Sequence, residues 1–95
     1  MEYILFVHKN SNRPATQNQW NDFFAAANES GMFNGGSEIS PGVKLGAPDI
    51  VCASDSVVGY MRFETDDVSK LYQLLELHPV KIQGGTLELC ETPKT

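Results

Sequence analysis

Glu2-Tyr3-Ile4-Leu5-Phe6-Val7-His8 sorts its side chains into two sets, Tyr3, Leu5 and Val7 on one side and Ile4, Phe6 and His8 on the other. The β-branched and aromatic content predicts a strand over Tyr3 to Val7. Both sets are mainly apolar, so neither face is built for water. Downstream, Lys9 to Ala15 is a polar loop, and Thr16-Gln17-Asn18-Gln19 is a capping box in which Gln19 reaches back to the amide of Thr16. Trp20, Phe23, Phe24 and Ala27 follow at i, i+3, i+4 and i+7, the stripe of an amphipathic helix. Gly31 suits the left-handed position that ends it. Met32 to Ile39 returns to strand, and Gly35-Gly36 inside that strand predicts a bulge or a close backbone approach.

The same order then repeats. Val57 to Thr65 reads as a strand, and Asp66 or Thr65 caps a second helix with Asp67 in its first turn. Val68, Leu71, Tyr72 and Leu75 form that helix's stripe, Pro79 stops it, and Gly84-Gly85 turns the chain into a last strand, Thr86 to Glu91. Strand, helix and strand thus occur twice, over Glu2–Ile39 and Val57–Thr92. This predicts an α+β, ferredoxin-like β-α-β-β-α-β fold, a single domain over residues 1–95. Right-handed crossovers give an antiparallel sheet in the order 4-1-3-2. Helices cover one apolar face of the first strand. A domain this small has no spare layer for the other, which predicts a homodimer.

The seven Lys and Arg residues are scattered and the formal net charge is −5, so a nucleic-acid partner is not expected. The chain starts directly in a strand, without a secretory leader, and no apolar run reaches the roughly 20 residues that span a bilayer. Cys52 and Cys90 match no metal or CxxC spacing. Two reduced thiols in a cytoplasmic protein is the plain reading. Ser40 to Ser56 is irregular, with Pro41, Gly42, Gly46 and Pro48, and leaves room only for a short strand near Ile50 to Ala53.

The topology brings His8, Trp20, Asp55, Ser56 and His78 to one end of the sheet, beside this long loop. That end is a candidate pocket mouth. Each residue also has a plain structural role. His78, just before Pro79, can cap the last carbonyls of the second helix, and His8 can be solvated. Trp20 can belong to the core, and Asp55 to a turn. Tyr60 alternates with Met61 and can be core, interface or pocket lining. No histidine spacing supports a metal, and no motif calls for a cofactor.

Several segments resemble the YCII-related family, which includes the DGPF-domain proteins. Met1-Glu2-Tyr3-Ile4-Leu5-Phe6-Val7 is similar to its opening strand. Ser30-Gly31 followed by Gly35-Gly36 resembles its pattern after helix one, and Gly59-Tyr60 its GGY segment. His78-Pro79 with Gly84-Gly85-Thr86-Leu87-Glu88-Leu89 resembles its closing segment. The resemblance implies a dimeric α/β barrel with two sheets face to face, and pockets in which some members carry a His–Asp pair. Here Trp20 or a neighbour stands where those members have the histidine, and His78 replaces the aspartate. Ala53-Ser54-Asp55-Ser56 stands where DGPF would be.

Three readings stay open. The first is a homodimer that binds a small organic molecule, with Trp20 and Tyr60 lining the pocket and His8 and His78 supplying polar contacts. The second is a cofactor-independent enzyme using His78 as acid or base, oriented by Asp55. The third is a structural or regulatory dimer without a ligand.

Overall fold

The computed structural model describes residues 1–94. Its strands are β1 (Glu2–His8), β2 (Phe33–Glu38), β3 (Val57–Glu64) and β4 (Leu87–Glu91). Its helices are α1 (Gln17–Ser30), α2 (Val68–Leu75) and α3 (Pro79–Ile82). The four strands form one antiparallel sheet in the order β2-β3-β1-β4, the expected order read from its other edge. The fold is α+β and ferredoxin-like, as the repeated strand–helix–strand pattern predicts.

Burial along β1 alternates strictly: Tyr3, Leu5 and Val7 are buried, while Ile4, Phe6 and His8 are half-buried. The core lies on the first set, where Phe23 and Ala27 of α1 and Leu71, Leu74 and Leu75 of α2 meet Met61 and Phe63 of β3. On the reverse face the register aligns Phe6 with Tyr60, and Ile4 with Cys90 and Arg62. Among the described residues no helix packs there, so the chain is a slab with Cα extents of 42 × 38 × 17 Å.

Local details differ from expectation in the second half. Asp67, rather than Thr65 or Asp66, caps α2 by accepting the Ser69 N–H, while Thr65 Oγ1 accepts the Asp67 N–H one step earlier. Leu74 takes the place in the stripe expected for Tyr72, which is exposed. Pro79 does not merely stop a helix; it begins α3, because a proline at the first helical position gives up an N–H that has no partner anyway. No strand forms near Ile50. A 3-10 turn, Ala53–Asp55, leads into β3 instead. Residues 40–52 form an arm whose Val43 and Leu45 are 87% and 91% exposed. Its path is held by the Lys44 ammonium, which donates to the carbonyls of Pro48 and Ile50 at 2.8 and 3.1 Å.

Candidate functional site

Two glycines face the helices where a strand would ordinarily place side chains. Gly36 of β2 pairs with Met61, and Gly59 of β3 pairs with both Val7 and Glu38. A Cβ on Gly36 would stand 2.2 Å from the Tyr60 carbonyl oxygen, so the two strands approach as closely as only glycine permits. The register shifts between Phe33 and Gly36, with Gly35 at φ 97°, which is the bulge that the Gly35-Gly36 pair predicts. These glycines lower the floor between the sheet and α1.

The result is a cleft of about 650 Å³ between α1 and the β2–β3 hairpin. Its wall is aromatic. Trp20 stacks on Phe24 with ring centroids 5.7 Å apart, and Phe24 continues to Phe33 at 6.0 Å. Trp20 and Phe24 sit four residues apart, one above the other on α1, because the helix repeats every 3.6 residues. Val7, Ile39, Val58, Met61 and Val80 complete the apolar lining, and Gln17 and Glu38 are among its polar residues. Tyr60 borders the same cleft. Its pairing with Phe6 turns its ring to the reverse face, so it borders the cleft from the strand backbone.

The other expected site residues lie elsewhere. His78 is fully buried behind this wall, 5.2 Å from the Trp20 ring and 4.7 Å from the Phe23 ring, both edge-on. Its Nδ1 accepts the Val80 N–H at 3.1 Å, so it caps the start of α3 and not the end of α2. That bond leaves the ring proton on Nε2, which has no hydrogen-bond partner among the described residues. Burial pushes the His78 imidazole down to about 4, and the ring is neutral at physiological pH. His8 is on the reverse face, where its Nε2 meets Glu88 Oε1 at 2.8 Å. Asp55 is exposed in the 3-10 turn and forms no hydrogen bond with either histidine. The structure therefore brings Trp20 and Tyr60 to one cleft and separates His8, Asp55 and His78 from it.

Sequence reasoning missed Glu38, Phe24 and Phe33 as lining. The i, i+4 spacing of Trp20 and Phe24 was a usable signal. Glu38 carried none, since its face depends on the bulge before it.

No protein-family model matches the chain, and no curated protein sequence does. Among solved structures it is similar to TftG, the 5-chloro-2-hydroxyhydroquinone dehydrochlorinase of Burkholderia phenoliruptrix AC1100, in complex with 2,5-dihydroxybenzoquinone. The match has a TM-score of 0.56 at 13% identity and covers 100% of this chain and 96% of that one. At that identity the two share a fold.

Proposed function

We propose that this chain is a homodimeric, YCII-like protein that binds a small planar organic molecule in the cleft between α1 and the β2–β3 hairpin. The observation that carries the reading is the pairing of an aromatic wall, Trp20–Phe24–Phe33, with a floor cleared by Gly36 and Gly59. Flat rings gain from stacking or edge contact with such a wall as well as from leaving water. TftG was solved with one small ring compound, which supports a ligand of that size in this fold. The sequence resemblance to YCII-related proteins supports the same class.

The acid–base alternative draws less support from the geometry. A general base must reach the proton it removes and titrate near the working pH. His78 is sheathed by Trp20 and Phe23, is held in one tautomer by Val80, and stays neutral down to about pH 4. Its role is to cap α3 and to back the aromatic wall.

The second copy belongs on the reverse sheet face. Ile4, Phe6, Tyr60 and Cys90 form an apolar centre there, with Glu2, Arg62 and the His8–Glu88 pair around it. The Cα radius of gyration is 14.2 Å, above the about 12 Å of a compact chain of this length. A two-layer slab with an outlying arm becomes compact on pairing.

The test is calorimetric titration of the purified protein with 2-naphthol, repeated on Trp20→Ala and Gly59→Val. Saturable binding to the wild type and its loss in both variants is the expected result. Equal binding by Gly59→Val would place the ligand elsewhere.

A further inference from the structure

We infer that the cleft selects its ligand by charge, taking uncharged or cationic rings and rejecting carboxylates and phosphates, with Glu38 as the residue that sets this preference. The inference rests on the cleft being the binding site and adds the chemical class of what enters it.

Three observations converge. First, Glu38 is the sole ionisable side chain in the helix-facing lining. Its register position opposite Gly59, itself opposite Val7, puts it on the helix side of β2, at the cleft. No lysine, arginine or histidine is among the lining residues. Second, Glu38 has no ion-pair partner among the described residues, so its carboxylate is available to a ligand.

Third, several donors at the cleft that would favour an anion are already occupied. Helix N-termini attract anions through unpaired N–H groups. The cleft touches the first turns of α1 and α3 through Gln17 and Val80. At α1 the Gln19 N–H is taken by Thr16 Oγ1 at 3.1 Å. At α3, too short for such a site in any case, the Val80 N–H is taken by His78 Nδ1. One of the two Gln17 amide N–H groups donates to Asn21 Oδ1 at 3.0 Å. The cleft therefore meets a ligand with one unpaired carboxylate and no cationic side chain. A phenol or an amine donates to Glu38. A carboxylate would leave water for an apolar wall with no counter-charge, against a chain of net charge −5.

The test uses three probes of matched ring shape: 2-naphthol, 2-naphthylmethylamine and 2-naphthoate. Each is titrated by calorimetry at pH 7.5 into the wild type, Glu38→Gln and Glu38→Lys. Glu38 is exposed, so both variants should fold, and circular dichroism checks this. The wild type should bind the amine at least about threefold more tightly than the naphthoate, the scale of one exposed charge contact. Glu38→Gln should erase that ratio, and Glu38→Lys should invert it. Naphthoate binding as tightly as the amine to the wild type would overturn the charge assignment while leaving the cleft in place. An unchanged ratio in Glu38→Lys would do the same. No heat from any probe would overturn the cleft reading and this inference together.

Discussion

His78 shows how one side chain can back a cleft without entering it. Its Nδ1 supplies the cap of α3, and its ring edges meet Trp20 and Phe23. The imidazole gains a proton near pH 6.5 in the unfolded chain but only near 4 in the folded one. Stability from this residue is therefore full above about pH 6.5 and is lost as the pH falls towards 4, because only the unfolded state binds the proton in that window. The loss should reach up to about 3 kcal/mol. Urea midpoints at pH 7, 5.5 and 4.5 should fall for the wild type. The fall should be shallower for His78→Asn, which can still cap α3; parallel curves would show that the imidazole takes up its proton as readily in the folded chain as in the unfolded one. Thr16 is the simpler case, since both halves of its capping box form, at 3.1 and 2.9 Å. Thr16→Ala should cost about 0.5–2 kcal/mol in an unfolding curve, and coincident curves would show that α1 does not depend on this cap.

At the scale of elements, the cleft is made by the β2–β3 hairpin giving up side chains and α1 supplying rings. Gly36 and Gly59 should respond differently to substitution. A methyl on Gly36 meets backbone of Tyr60 and Met61, which cannot yield without parting the strands. Gly36→Ala should destabilise by about 1–3 kcal/mol. A Cβ on Gly59 meets the Ser37 carbonyl at 3.3 Å and Val7 Cβ at 3.9 Å, so Gly59→Ala should be milder. Thermal unfolding of the two single variants decides this, and the reverse order of melting temperatures would mean that the hairpin is looser than its register shows. The arm that joins these strands leaves Val43, Leu45, Ile50 and Val51 exposed, an apolar stretch that its own domain does not cover.

At the scale of the whole molecule, the two faces of β1 separate folding from the proposed association. Leu5 is fully buried under the helices, whereas Phe6 sits on the reverse face. Leu5→Glu should abolish the fold, since an unpaired carboxylate there costs several kcal/mol. Phe6→Glu should leave a folded monomer. Light scattering with circular dichroism reads both, and a wild-type monomer at micromolar concentration would remove the dimer. Much of this architecture was legible in the chain. Period-two and period-3.6 runs set the strands and helices, the Thr16 box and Gly31 bounded α1, and crossover handedness ordered the sheet, because local sterics and side-chain alternation act over a few residues. Tertiary structure decided the cleft. Convergence at one end of the sheet proved too coarse a guide, since whether His8, His78 or Glu38 meets the cleft depends on strand face, on a bulge and on which helix a proline begins. Those depend on packing between elements distant in sequence, so the chain by itself determined the scaffold, and only the folded molecule decided that rings, glycines and one acid form the cleft.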